Sequence, residues 1–144
     1  MNDLNRLKGI NAFSLPVRVY YEDTDAGGIV YYVNYLKFME RARTEWLRTL
    51  DFNQSSLPVL FVVKDVQLNY QLPAKLDDSL DVFVEVNSYR GARMTFQQKI
   101  MRNTDVLCSG NIEVACVDRQ SLRPCRLPKA LLQSLPPAVV SDLN

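Results

Sequence analysis

One amphipathic helix followed by a series of alternating strands is the feature that most restricts the fold of this sequence. Between about Asn34 and Leu50, apolar residues recur with the period of a helix. After Leu50, apolar and polar residues alternate in runs separated by short turn-forming segments, which is typical of an antiparallel meander. An apolar helix face and an apolar sheet face have to cover each other, so the sequence predicts a two-layer α+β domain.

The same patterns place the individual elements. The predicted apolar face of the helix consists of Tyr35, Leu36, Met39, Ala42, Trp46, Leu47 and Leu50. We expect about five strands, near residues 17–22, 65–70, 80–87, 94–100 and 112–116, and at most a short helix over 129–135. The length of 144 residues fits a single domain over 1–144, with flexible ends at 1–14 and 136–144.

The absence of histidine narrows the chemistry that this chain can perform. It excludes Ser–His–Asp and Cys–His nucleophiles, histidine-based zinc sites and imidazole acid–base catalysis. An enzyme of this composition has to rely on carboxylates, Tyr, Lys, Cys, backbone dipoles or a cofactor. No motif implies a metal or a cofactor.

Charge and cysteine content bear on partners and location. The 17 basic and 16 acidic residues leave a net charge of +1, which makes no electrostatic case for nucleic acid or an anionic membrane. Cys108, Cys116 and Cys125 form no C-x-x-C motif, and their odd number favours a reducing compartment. No signal peptide or membrane-spanning stretch is visible, so we expect a cytoplasmic protein without a membrane span.

Two charged residues interrupt the apolar arc of the helix. Glu40 and Arg43 are three residues apart and can reach each other, so one interpretation is a buried ion pair. The other is a carboxylate that faces a substrate pocket or a subunit interface. Both interpretations predict that Glu40 is not free in solvent.

The turn-forming segment between the first strand and the helix combines acidic residues with glycines. Gly27 and Gly28 allow a ligand to approach the backbone closely. The first amides of the following helix have no internal partner and can stabilise a developing oxyanion. A nearby Asp23 or Asp25 carboxylate would complete a minimal site for acyl-transfer hydrolysis. The alternative is that these aspartates only cap the turn or the helix.

The residues around this segment match a known pattern. The match consists of VYYEDTDAGGIVYYVNY at 19–35 and FMERAR at 38–43. These residues resemble the hot-dog-fold acyl-CoA thioesterases, in the 4-hydroxybenzoyl-CoA thioesterase-like branch that includes the YbgC-type enzymes associated with the Tol–Pal system. The resemblance implies a hot-dog fold, in which a five-stranded antiparallel sheet wraps a long central helix. It also implies homodimers with a continuous sheet, often paired into tetramers, and active sites at the dimer interface.

The resemblance also implies roles for individual residues. Asp25 matches the catalytic carboxylate, and Tyr32 occupies the position whose backbone amide polarises the thioester carbonyl. Gly28, Tyr35 and Glu40 are assigned to substrate binding. Many YbgC-type sequences have histidine where this chain has Tyr32. An amide-based oxyanion hole survives that difference, whereas a step that needs imidazole does not.

The phosphates of CoA would need basic partners, for which Arg is well suited. Arg90, in a turn between two strands, is the first candidate and Arg126 is the second. The alternative is that both are ordinary surface charges. The expected substrate is an acyl-CoA or an acyl group on an acyl carrier protein. Asp25 would act as general base or as nucleophile, and a non-catalytic acyl-ligand-binding or assembly module on the same fold is the competing interpretation.

Overall fold

A computed structural model describes residues 12–52, 57–135 and 140–141 of the chain. Its helices and strands are β1 Ala12–Arg18, α1 Asn34–Thr49, β2 Val59–Tyr70, β3 Ser79–Arg90, β4 Arg93–Arg102, β5 Asp105–Asp118, α2 Lys129–Ser134 and β6 Val140–Ser141. A single 3-10 turn, Tyr21–Asp23, lies between β1 and α1. None of the described helices combines the length and the apolar composition that crossing a bilayer requires.

The five main strands form one antiparallel sheet in the order β1-β3-β4-β5-β2. The helix α1 packs on one face of this sheet, mainly against β1, β3 and β4. This arrangement confirms the predicted α+β class. The predicted meander is right only for β3, β4 and β5, because β2 pairs with β5 at one edge and β1 pairs with β3 at the other. The two-residue strand β6 was not predicted, and it adds to the edge of β3 in parallel, beyond the end of β1.

The description of the central helix as long is wrong. With 16 residues α1 spans about 24 Å, because an α-helix rises about 1.5 Å per residue. Its buried residues are Asn34, Tyr35, Phe38, Met39, Ala42, Trp46 and Leu47. Leu36 and Leu50 are only half-buried, because the helix turns its Phe38 side further into the core than the apolar pattern indicates.

The same rotation overturns the buried ion pair expected between Glu40 and Arg43. The Glu40 side chain lies at the rim of the buried face and is exposed. Arg43 instead points inward and donates from Nη1 to the Gln98 side-chain oxygen over 2.9 Å. Gln98 is 1% exposed and donates to the Met39 carbonyl, so the guanidinium is held by a buried amide rather than by an ion pair.

The first strand lies earlier in the chain than expected. It covers Ala12–Arg18 rather than 17–22, so residues 12–14 pair with β3 instead of belonging to a flexible end. The chain leaves β1 at Val19 and turns, because the Asp23 carboxylate accepts a hydrogen bond from the Tyr20 amide. Residues 1–11, 136–139 and 142–144 lie outside the described residues, so the predicted flexibility of both ends stays a prediction there.

Candidate active site

The Asp25 carboxylate lies on the exposed tip of the loop between β1 and α1. Its Oδ1 accepts a hydrogen bond from the Gly27 amide at 2.8 Å, and its carbonyl accepts one from the Gly28 amide at 3.0 Å. Gly28 has a φ of 81°, a conformation that favours glycine. The Asp25 amide donates to the Ile29 carbonyl, which closes the loop. This tight turn holds one carboxylate oxygen and leaves the side chain facing outward.

The start of α1 supplies backbone donors a few residues further along. The amides of Tyr32 and Val33 donate to no acceptor among the described residues, whereas the Asn34 amide donates to the Tyr31 carbonyl at 2.8 Å. Tyr32 is 59% exposed as a whole residue. Unpaired amides at a helix start carry a partial positive charge. They are suited to hold an oxygen on which negative charge develops.

A buried polar pair connects the loop to the helix. The Asp23 carboxylate accepts hydrogen bonds from the Tyr20 amide at 2.9 Å and from the Asn34 side-chain amide at 2.8 Å. Both Asp23 and Asn34 are 8% exposed. Asp23 is therefore a structural residue of the loop, and Asp25 is the aspartate that remains accessible.

The segment 73–78 supports the loop from behind. Its Ala74 carbonyl accepts from the Val30 amide at 2.8 Å, and its Leu76 amide donates to the Gly28 carbonyl at 3.2 Å. Its Ala74 amide donates to the Tyr35 hydroxyl at 2.9 Å. Tyr35, predicted to bind substrate, is 3% exposed and contacts this support. Its substrate-binding role stays a prediction.

Asp78 attaches the supporting segment to the sheet. Its carboxylate accepts hydrogen bonds from the Lys75 amide at 2.8 Å and from Arg102 Nη1 at 2.7 Å. Burial by itself would raise the pKa of Asp78, but these two donors outweigh it and lower the pKa below the ordinary value. The segment is thus fixed by a charged pair that is mostly shielded from solvent.

Tyrosines surround the start of the helix. The Tyr70 hydroxyl donates to the Tyr32 carbonyl at 3.3 Å, and the Tyr70 ring lies 6.2 Å from the Tyr32 ring and 5.5 Å from the Tyr35 ring. Burial raises the pKa of Tyr35 and of Tyr70. Tyr70 was missed as a site residue because it ends β2, far from the loop in sequence, and no local signal links the two.

This arrangement combines an accessible carboxylate with unpaired amides and contains no imidazole. Such a pairing can polarise a carbonyl and attack it, or activate water to do so. A family profile for the thioesterase-like superfamily matches residues 19–135, which include every part of this site. The chain belongs to this superfamily.

Relatives within the superfamily are similar over most of their length. An acyl-CoA thioesterase, YbgC, of Haemophilus influenzae is 53% identical over 123 residues, covering 83% of this chain and 90% of its own. The acyl-CoA thioester hydrolase YbgC of Escherichia coli O157:H7 is 45% identical over 124 residues, which cover 83% of this chain and 92% of the relative. The solved structure of a probable thioesterase of Bartonella henselae matches with a TM-score of 0.78 and 33% identity, and the match covers 81% of this chain and 99% of that one. The hot-dog fold of the chain is thereby confirmed.

Glu40 does not line the same part of the surface as Asp25. It lies two turns along α1 and lines a cleft of about 70 Å³ between the helix and the sheet. Arg43 borders the same cleft, with apolar walls from Phe61, Val63 and Phe96 among others. Burial lowers the pKa of Arg43, and the charge of Glu40 counteracts this in part. A substrate-binding role for Glu40 stays a prediction.

The structure brings the two predicted phosphate-binding arginines close together in the fold. Arg90 ends β3 and lines a cleft of about 110 Å³ at the β3–β4 turn. The amide of Leu127, which follows Arg126, donates to the Gly91 carbonyl of that turn at 3.1 Å. Both arginines are exposed. They are distant from Asp25, because the loop adjoins the Ser79 end of β3, and the strand's 12 residues extend about 36 Å from there.

Cys116 and Cys125 lie outside the site, whereas Cys108 is fully buried and pairs with Tyr70 between β2 and β5. Burial raises the pKa of Cys108 to about 11 and that of Cys116 to about 12, in the latter case with Cys125 as a further cause. Such thiols carry almost no thiolate at neutral pH. Cys116 packs in the core, with its Sγ 3.5 Å from that of Cys125.

Proposed function

We propose that this chain is an acyl-CoA thioesterase that hydrolyses the thioester of an acyl-CoA to the free acid and CoA. Asp25 is the base or nucleophile, and the Tyr32 amide polarises the carbonyl. The observation that carries the proposal is the accessible Asp25 carboxylate on the loop that leads into the unpaired amide of Tyr32. Membership of the thioesterase-like superfamily and the names of the YbgC relatives support the substrate class.

The mechanism uses one oxygen of Asp25. Its Oδ1 is held by Gly27, and Oδ2 accepts no hydrogen bond from a described residue, so Oδ2 is the reacting atom. Oδ2 either attacks the thioester carbon or removes a proton from a water molecule that attacks it. Negative charge then develops on the carbonyl oxygen at the amides of Tyr32 and Val33. The carbon–sulfur bond breaks, and CoA leaves as a thiolate. If Oδ2 attacks, the product is a mixed anhydride with Asp25, which a water molecule then hydrolyses to the free acid and the Asp25 carboxylate. If Oδ2 acts as a base, the free acid forms directly and Oδ2 passes its proton to the departing thiolate or to solvent.

A second copy of the chain completes the proposed enzyme. The outer edge of β2 pairs with no strand in the described ranges, and its Val62, Val63 and Val66 are 38%, 50% and 37% exposed. A long apolar edge strand favours pairing with another chain. Tyr70 at the end of β2 contacts Tyr32, so pairing of two β2 strands would bring the partner next to the site.

The finer expectations of the family resemblance belong to the same proposal. They are a single domain over 1–144, a dimer or a tetramer of dimers, a cytoplasmic location, an association with Tol–Pal, and an acyl carrier protein as an alternative carrier. Arg90 and Arg126 of one copy bind the phosphates of a CoA molecule whose thioester lies at Asp25 of a neighbouring copy. Within one chain, about 36 Å separates the two ends of β3, where the arginines and the Asp25 loop lie. Gly28 keeps the backbone open to the substrate.

The test is release of free thiol from acetyl-, hexanoyl-, palmitoyl- and benzoyl-CoA, with the Asp25→Asn variant beside the wild type. We expect turnover that falls by about 10²–10⁴ in the variant, the range contributed by a positioned base. Asp51→Asn is the matched control, because Asp51 is exposed at the other end of α1 with a φ of 62° that asparagine tolerates.

Three results would contradict the proposal. Undiminished turnover by Asp25→Asn would remove Asp25 from the mechanism. An equal loss in Asp51→Asn would point to general damage rather than to lost chemistry. A folded wild type that cleaves neither acyl-CoA nor acyl carrier protein thioesters would instead support the competing interpretation, a non-catalytic acyl-binding module.

A further inference from the structure

The pair formed by Asp23 and Asn34 has no assigned role, although it is the most buried polar contact of the loop. Each residue is 8% exposed. Burial of a carboxylate is costly unless hydrogen bonds replace its water. The Tyr20 amide and the Asn34 side chain provide one such bond to each Asp23 oxygen. Asp23 borders an open cleft of about 290 Å³, but both of its carboxylate oxygens accept hydrogen bonds from the protein, so we expect its effect on the reaction to pass through the groups that it holds.

The same two residues hold the backbone on both sides of Tyr31. The Tyr31 amide donates to the Asp23 carbonyl at 2.9 Å, and the Tyr31 carbonyl accepts from the Asn34 amide at 2.8 Å. The Tyr31 carbonyl and the Tyr32 amide belong to one planar trans peptide, so they point in opposite directions. Directing that carbonyl toward Asn34 therefore directs the Tyr32 N–H away from Asn34.

Asp23 is also joined to the loop that carries Asp25. Thr24 forms a bridge with Val30, and the Asp25 amide donates to the Ile29 carbonyl at 2.9 Å. The contact between Asp23 and Asn34 connects this closed loop to the first residue of α1. It thus ties the loop that carries the Asp25 carboxylate to the turn that carries the Tyr32 amide.

We infer that Asp23 and Asn34 are positioning residues that align the Tyr32 amide with the Asp25 carboxylate for attack on the thioester. This inference rests on the proposed function. A misdirected oxyanion donor loses most of its effect on the transition state, and removing one costs about 10²–10³ in kcat. Substrate binding depends mainly on other contacts, so KM is expected to change little.

The experiment exchanges the two side chains. Asn34→Asp places two carboxylates against each other at a buried position, where like charges repel. Adding Asp23→Asn restores one amide facing one carboxylate, because the introduced NH2 donates to the carboxylate now at position 34 while the introduced amide oxygen still accepts from Tyr20. The relocated carboxylate is also favoured by the helix start. We expect Asp23→Asn alone to have a small effect on kcat, because the Asn34 side-chain amide can flip so that its oxygen accepts a hydrogen bond from the introduced NH2 group.

We expect Asn34→Asp to lower kcat about 10–100-fold with KM within about threefold, and the double variant to recover kcat to within about fivefold of wild type. Asn34→Ala, which removes the donor without repulsion, replaces Asn34→Asp if the latter does not fold. Unchanged kcat in a folded Asn34 variant would overturn the inference. So would a double variant that regains its melting temperature but not its kcat.

A spectroscopic measurement separates this inference from the proposed function. The probe is the ketone analogue of benzoyl-CoA in which a methylene replaces the thioester sulfur, with its carbonyl labelled by ¹³C. Alignment of the Tyr32 amide lowers the carbonyl stretching frequency of the bound analogue in the wild type and in the double variant, but not in Asn34→Asp. Equal frequencies in all three would overturn the inference. Absence of thioester turnover with the frequency pattern intact would instead overturn only the proposed function.

Discussion

The Tyr35 hydroxyl accepts a hydrogen bond from the Ala74 amide at 2.9 Å, and this contact joins the first turn of α1 to the segment behind the loop of the candidate active site. The same residue, Ala74, accepts from the Val30 amide at the end of the loop. Helix, loop and supporting segment therefore meet at one buried point, since Ala74 is fully buried and Tyr35 nearly so.

Tyr35→Phe removes the acceptor of the Ala74 amide without changing the shape of the core. A buried donor left without a partner costs about 1–3 kcal/mol, so we expect a loss of that size in the free energy of unfolding. Denaturant unfolding measures it. Tyr31→Phe is the matched control, because Tyr31 is 49% exposed. The stability of this variant should stay near that of the wild type. Equal losses in the two variants would contradict the role of the Ala74 contact.

Asp78 gives the protein a defined sensitivity to acid. Its pKa is lowered in the folded state, so the stabilisation is present above the unfolded pKa of about 3.8 and is lost as the pH falls through the lower folded pKa. We expect Asp78→Asn to be about 1.5–3 kcal/mol less stable near pH 7. The difference from wild type should shrink below pH 4 in urea unfolding measured from pH 7 to pH 2. A difference that stays constant with pH would contradict this assignment.

Gln98 keeps the Arg43 guanidinium satisfied inside the core. Gln98→Leu removes the acceptor at 2.9 Å and the donor to the Met39 carbonyl, so we expect a loss of about 1.5–3 kcal/mol in the free energy of unfolding. Replacing a whole buried polar pair by apolar residues is often neutral. The double variant Gln98→Leu, Arg43→Met should therefore recover most of the loss. Failure of the double variant to recover would show that the two residues do not act together.

The exposed edge of β2 is tested by the oligomeric state. Val63→Lys places a charge on the 50% exposed edge position, and we expect it to shift the protein from dimer toward monomer in analytical ultracentrifugation. Leu122→Lys is the control, because Leu122 is 61% exposed in the turn after β5 and does not lie on the edge. Loss of the dimer in the control, or a Val63→Lys dimer of wild-type affinity, would argue against pairing through β2.

Local patterns in the sequence predicted much of the fold. The helix over Asn34–Thr49 and the existence of the strands follow from periodicity, since side chains that repeat every 3.6 or every 2 residues share one face. The order of the strands does not follow from it, because the pairing of β2 with β5 joins distant parts of the chain. The start of β1 was misplaced, because Tyr20 and Tyr21 favour a strand locally while the buried Asp23 carboxylate turns the chain. The pairing of β6 with β3 joins residues about fifty positions apart and leaves no local signal.

Some features of the candidate site likewise followed from the sequence, and others depended on the tertiary structure. The composition by itself excluded imidazole from any catalytic site. The local sequence predicted an Asp–Gly loop leading into a helix start, because that feature depends on residues close together in the chain. Only the tertiary structure decided that Asp23 is buried and Asp25 exposed, that Arg43 turns to Gln98 rather than to Glu40, and that Tyr70 reaches Tyr32. Each of these outcomes depends on which distant group supplies a hydrogen bond where water is excluded, and that choice is made when helix and sheet pack together.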